Sequence, residues 1–120
     1  MRKQRLQTLE VYLYSTASGN KPVREWLKDL SKEDKKIIGD DIKTVQFGYP
    51  IGMPLTRVLK GTEGLEEVRC HISGSKIARV VFYVEDNVMV LLHAFIKKTQ
   101  KTPQKDLDLA IKRYKDLSKR

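Results

Sequence analysis

The chain has 120 residues, with 24 Lys and Arg against 15 Asp and Glu, a formal net charge of +9. That length suits one domain around one core, and the single cysteine, Cys70, excludes an internal disulfide. A positive surplus in a small domain favours nucleic acid, an acidic protein partner or a membrane surface, and the positions of the charges must decide among them.

The basic start, MRKQRLQTLEVYLY, has no apolar signal core. The most apolar stretch, residues 88–96, is too short to span a bilayer and contains His93. The expectation is a single soluble, cytoplasmic domain over residues 1–120 with no membrane partner.

Residues 9–14 (LEVYLY) alternate and carry β-formers, which predicts a first strand. After a turn at 15–19, Asn20 reads as a helix cap, with Pro22 in the first turn where its missing N–H matters little. Val23, Trp26, Leu27 and Leu30 share one face of this helix. Ser31, with Glu33 and Asp34 behind it, starts a second helix. Its buried stripe is Ile38, Ile42 and Val45, and Gly48 and Pro50 end it.

Residues 49–64 read as a loop with a short extended piece at Arg57-Val58-Leu59. Three strands follow, at 65–72, 76–84 and 88–97, joined by short turns at Gly74 and at Glu85-Asp86-Asn87. Such turns imply antiparallel hairpins. Thr102 reads as the cap of a last helix with Pro103 first, and Leu107, Ala110, Ile111, Tyr114 and Leu117 form its apolar side. The predicted order is β-α-α-β-β-β-α. This is an α+β fold with a mainly antiparallel sheet, two N-terminal helices on one face and a C-terminal helix. A sheet covered on one side leaves its other face for water or a ligand.

Alternation assigns that face. Val68, Cys70 and Ile72 lie on one side of their strand, with Glu67, Arg69 and His71 on the other. Ala78, Val80, Phe82 and Val84 oppose Ile77, Arg79, Val81 and Tyr83. Met89, Leu91, His93, Phe95 and Lys97 are expected to share a side. Arginine is rarely buried unless paired, so Arg69 and Arg79 have two readings. They are structural ion pairs, Arg69 with Glu67, Glu66 or Glu85, or they project from the open face and bind phosphate through their planar forks. On the second reading Arg79→Ala leaves the fold intact.

Lys97, Lys98 and Lys101 adjoin a helix N-terminus, a place that already attracts anions. His93, among apolar neighbours, reads first as a hydrogen-bonded core residue and second as a proton shuttle. Tyr83 and Phe95 are the aromatic candidates on the face. One cysteine and two histidines make no zinc constellation. No phosphate-binding glycine loop or nucleophile elbow occurs. No metal and no cofactor are expected.

Several segments together carry a family resemblance. They are Leu65-Glu66-Glu67-Val68-Arg69, then Ala78-Arg79-Val80-Val81-Phe82-Tyr83, and above all HAFIKKTQKTP at 93–103. With SGNKPVREWL at 18–27, Phe47-Gly48 and Met53-Pro54-Leu55, they resemble the phage-derived branch of HigB-type toxins, within the RelE/ParE superfamily. The resemblance implies a RelE-like fold and ribosome-dependent cleavage of messenger RNA. It also implies neutralisation by a HigA-type antitoxin with a helix-turn-helix. Arg69, Arg79, Lys97, Lys98 and Lys101 are the positions it carries over. RelE proper has a basic strand where this chain has Glu66 and Glu67, and a tyrosine in its final segment without a clear counterpart here.

The implied chemistry needs no metal. A ribose 2′-hydroxyl attacks the adjacent phosphate, with Arg69 and Arg79 stabilising the developing charge. A lysine, Lys97 foremost, serves as base, and His93 is a second candidate for proton transfer. Lys98, Lys101 and Tyr83 would hold the RNA. Two other readings remain open: a non-enzymatic ParE-like toxin that binds gyrase, and an RNA-binding module that does not cut.

Overall fold

The computed structural model describes residues 8–97 and 102–119. Lys98 and Lys101 therefore lie outside the described residues. The elements are β1 (Glu10–Leu13), α1 (Pro22–Lys28), α2 (Lys32–Gly48), β2 (Thr56–Val58), β3 (Glu66–Ile72), β4 (Lys76–Glu85), β5 (Val88–Lys97) and α3 (Gln104–Ser118). They form one five-stranded sheet in the order β1-β5-β4-β3-β2. β1 runs parallel to β5 and the other pairs are antiparallel. The expected α+β architecture is present, with one strand more than expected. The extra strand, β2, comes from the short extended piece around Arg57.

Turn chemistry explains the hairpins. Asp86 and Asn87 adopt positive φ values of 52° and 64° between β4 and β5, a conformation that Asp and Asn tolerate and that matches strand twist. Ser31 caps α2 as expected, its hydroxyl accepting from the Asp34 amide at 3.1 Å. Asn20 does not cap α1. Its backbone closes a loop on Thr16 instead, the amide donating to the Thr16 hydroxyl at 3.1 Å and the carbonyl accepting from the Thr16 amide at 2.8 Å.

The alternation in β3 and β4 holds. Val68, Cys70, Ile72, Ala78, Val80 and Phe82 are buried against Ile38, Ile42 and Val45 of α2 and Val23 of α1. Burial raises the Cys70 thiol pKa well above its ordinary value, as expected of a core thiol.

In β5 the alternation breaks. Val81 pairs with His93, but the next residue, Phe82, pairs with Leu91. Leu92 is thus a bulge, and a bulge shifts the phase of every side chain beyond it. Met89 and Leu91 face α1 and α2, whereas His93, Phe95 and Lys97 face the other way. The expectation of one shared side for all five residues is corrected by that single extra residue.

A second correction concerns the open face. α3 lies across it. Its apolar stripe needs cover, and Leu65, Val81, Val90, Leu92 and Phe95 provide it around Ala110. The sheet is therefore sandwiched, with α1 and α2 on one side and α3 on the other. Among the described residues, no helix is long and apolar enough to cross a membrane.

Asp34 ties the start of α2 to the β3–β4 turn. Its carboxylate accepts from the Ser73 amide and the Ser73 hydroxyl, both at 3.0 Å. The Ser73 amide is the main cause that holds the carboxyl below its usual 3.8, against desolvation. A carboxylate with a lowered pKa contributes stability that is full above 3.8 and is lost as pH falls through the folded value. Asp34→Asn is therefore expected to be less stable than the parent at neutral pH. Urea titrations should show that gap closing in acid. A gap independent of pH would contradict the assignment.

Candidate functional site

Three neighbouring strands bring a polar cluster to the α3 face. Arg57 of β2 pairs with Glu67 of β3, and Arg69 of β3 pairs with Arg79 of β4. Because Glu67 stands opposite Val81, Arg79 lies on its diagonal, within reach of long side chains. The Glu67 carboxylate meets Arg57 Nη2 at 3.3 Å and Arg79 Nη1 at 3.5 Å. Thr102, just before α3, joins them. Its hydroxyl accepts from Arg79 Nη1 at 3.3 Å and donates to Glu67 Oε1 at 2.8 Å. The hydroxyl that reads in sequence as a helix cap is thus engaged in the cluster, and Pro103 takes the cap position without a side-chain bond.

The side chains of Glu67 and Arg79 are both 0% exposed, and that of Arg57 is 31% exposed. Arg79 is on the predicted face, but it does not project into solvent. It is sealed beneath Thr102 and paired with Glu67. Burial pulls its guanidinium pKa down, Glu67 opposes this, and the neighbouring charges of Arg69 and Arg57 lower it further. Arg69 forms no ion pair with Glu66, Glu67 or Glu85 among the described residues, contrary to one expectation. Its Nε is buried without a hydrogen-bond partner among those residues. Glu66 points to the other face and accepts from the Tyr49 hydroxyl at 2.7 Å. Two guanidinium groups therefore meet one buried carboxylate, and the charge of Arg69 acts on Arg79 beside them, a local excess of positive charge.

The remaining candidates fall in different places. Lys97 ends β5 opposite Ile77, on the same face and partly exposed. His93 is largely buried and clamped to α3. Its Nε2 lies 2.7 Å from Asp106 Oδ1, and its Nδ1 accepts from Arg113 Nη1 at 3.4 Å. That arrangement fits a neutral ring with its proton on Nε2. Burial holds its pKa below 6.5, and Arg113 adds to this against the pull of Asp106. Tyr83 packs edge-on against Tyr114 at 4.7 Å, and burial raises its pKa. Phe95 is buried and stacks on His93 at 5.5 Å. Both aromatics pack against α3, Phe95 buried and Tyr83 half-buried.

Arg57, Glu67 and Thr102 were not among the sequence-derived site residues. In the sequence Glu67 reads as a partner for Arg69 and as a departure from the basic strand of RelE, and Thr102 reads as a cap. The one available signal was the basic residue in an extended piece, and its register against β3 cannot be read from the chain. A cavity of about 380 Å³ opens beside Arg57, lined by Val58, Leu59, Lys60, Thr102 and Leu107. Among the described residues, no group of three or more His, Cys, Asp or Glu stands placed to hold a metal ion.

Two measurements check this geometry. Removing one partner of a buried ion pair costs about 3–5 kcal/mol, so Arg79→Ala should unfold at much lower urea than the parent. This reverses the expectation that the fold would be untouched, and an unchanged midpoint would restore it. His93 carries a lowered pKa, so its contribution to stability is full above 6.5 and is lost as pH falls towards the folded value. The parent should lose stability on acidification from neutral pH, and His93→Gln should lose less over the same interval. Parallel curves would show that His93 is not a clamp.

Residues 25–115 match the family model described as Phage derived protein Gp49-like (DUF891). No curated protein matches the chain. The matched span takes in the second half of α1, all of α2, the strands β2 to β5 and most of α3, and so includes every residue of the arginine cluster. The chain belongs to this Gp49-like family, a family of RelE/HigB-like toxins associated with toxin–antitoxin systems.

Proposed function

We propose that the chain is the toxin of a HigB-type pair that cuts messenger RNA on the ribosome. A HigA-type helix-turn-helix antitoxin holds it in check. The observation that carries this reading is the arginine cluster, with a buried Arg69 Nε that has no acceptor among the described residues. Buried donors are nearly always paired, and a phosphodiester oxygen is an acceptor suited to a guanidinium fork. The +9 charge supports a polyanionic substrate.

In the proposed reaction the ribose O2′ loses its proton and forms a bond to the adjacent phosphorus. The P–O5′ bond breaks, and the leaving oxygen takes up a proton. The products are a 2′,3′-cyclic phosphate and a 5′-hydroxyl, and no metal takes part. Arg69 meets the phosphoryl oxygens. Arg79 lies behind it and stabilises the same charge from a fixed position in the interior, where such groups act strongly. Lys97 is the candidate base within the described residues, beside Lys98 and Lys101 of the same segment. His93 is the weaker candidate for proton transfer, because both ring nitrogens are engaged by α3. The ribosome supplies alignment of the RNA.

The test is expression of the chain alone in cells, followed by mapping of RNA 5′ ends. Growth arrest with new 5′-hydroxyl ends inside translated codons is expected, and co-expression of an antitoxin encoded beside it should restore growth. Arg69→Ala should lower cleavage by about 10²–10³, the usual effect of losing one preorganised donor. Growth arrest without RNA ends, accompanied by loss of gyrase supercoiling, would replace this reading with a ParE-like one.

A further inference from the structure

The cavity beside Arg57 has no part in the chemistry above. Val58, Leu59 and Leu107 supply an apolar lining, while Arg57, Lys60 and Thr102 stand around it. A volume of about 380 Å³ falls in the range of small-ligand sites, which combine an apolar lining with a few placed polar groups. Two of these polar groups, Arg57 and Lys60, carry positive charge, which selects an anion. An apolar wall with cations at its edge is the chemistry of a nucleotide, whose base takes the wall and whose phosphate takes the cations.

Arg57 is the residue that joins this cavity to the cluster. Its partner Glu67 is fully buried, while Arg57 itself is 31% exposed. A long side chain on an edge strand ordinarily samples many rotamers, and ordering it opposes binding. Glu67 restricts that freedom in advance. The carboxylate is itself fixed from behind by Arg79 and the Thr102 hydroxyl, at 3.5 Å and 2.8 Å.

We propose that Arg57 contacts a phosphate of the RNA at the mouth of this cavity, which takes one nucleotide of the substrate. In the same proposal Glu67 is the positioning residue that orients Arg57. This rests on the RNA-cleaving reading and adds to it a substrate subsite and two residues. Glu67 touches no RNA and acts through Arg57.

Two readouts on the full chain separate this proposal from the reading beneath it. The first is binding of a short single-stranded RNA bearing 2′-O-methyl groups, which cannot be cut by attack of O2′. The second is cleavage of a defined messenger on ribosomes. Arg57→Ala should weaken binding of the blocked RNA about tenfold or more, the effect of losing a hydrogen bond between charged groups. Arg57→Lys, which keeps charge without the fork, should recover only part of it. Glu67→Gln should weaken binding in the parent but add less than about threefold in the Arg57→Ala background, since coupled residues are not additive. If Glu67→Gln does not fold, Glu67→Asp serves the same cycle, keeping the charge and retracting it by one methylene. Lys36→Ala, on the exposed side of α2, should match the parent.

Cleavage by the parent, with Arg57→Ala binding and cutting equally well, would overturn the Arg57 assignment and leave the cleavage reading standing. Additive losses in the cycle would overturn the role of Glu67. Binding that depends on Arg57, in a parent that never cuts ribosome-bound messenger, would retain the site and overturn the cleavage reading.

Discussion

A carboxylate taken wholly out of water persists in a folded protein only when cations and hydrogen-bond donors replace its hydration. Glu67 is in that position, and its partners come from three separate parts of the chain. Arg57 reaches it from β2, Arg79 from β4 and Thr102 from the lead into α3, while Glu67 itself belongs to β3. A three-residue edge strand such as β2 has few backbone bonds of its own. The ion pair with Glu67 adds a side-chain tether at its centre. The same carboxylate holds the beginning of α3 to the sheet, so the position of the helix and the arrangement of the arginines are one structural fact.

The far part of α3 is held by other polar ties. Tyr14 donates to Asp116 at 2.8 Å, and Arg113 donates to the Leu92 carbonyl at 2.8 Å. Leu92 is the bulged residue of β5, and a bulge locally interrupts the ladder. Its carbonyl finds a donor on the helix. His93 next to it bonds Asp106, in the first turn of α3. The extra residue thus places Leu92 and His93 together on the α3 face, one supplying apolar cover and the other a polar tie. α3 combines an apolar stripe with directional bonds at both ends, which specifies its register along the sheet as apolar contact alone does not.

Much of this frame was legible in the residues. The period of β3 and β4 assigned the faces of Val68, Arg69, Ala78 and Arg79 correctly, because successive side chains of a strand point to opposite faces. The stripe of α2 and its Ser31 cap were readable for a similar reason: the signals are local. What escaped depended on distant parts of the chain. The Leu92 bulge changes the phase of β5 and leaves no mark in a run that is apolar throughout, 88–92. Thr102 has the chemistry of a cap and is claimed by Glu67, 35 positions away. Arg79 was placed on the proper face, yet its burial follows from α3 crossing that face. Arg57 gained a meaning only through its register against β3. The lysine-rich part of the resemblance, Lys98 and Lys101, lies outside the described residues.

The charge balance of the cluster bears on the proposed chemistry. A buried group of charges is most easily tolerated when it is neutral, yet here the guanidinium groups outnumber the one buried carboxylate. Burial lowers the Arg79 pKa most, against the pull of Glu67, and the charges of Arg69 and Arg57 lower it further, so folding proceeds against both desolvation and repulsion. Such a local conflict is characteristic of functional sites, where stability elsewhere sustains an arrangement unfavourable in itself. A phosphorus centre under attack gathers negative charge on its oxygens, and on the proposed reading its arrival would relieve the repulsion that the folded protein carries. Arg57 and Arg79 would then need little reorganisation to meet it, because Glu67 holds both and Thr102 also holds Arg79. On the proposed reading, Glu67 sets the limit of this excess. It is sufficient to fold three arginines into one place and insufficient to neutralise them.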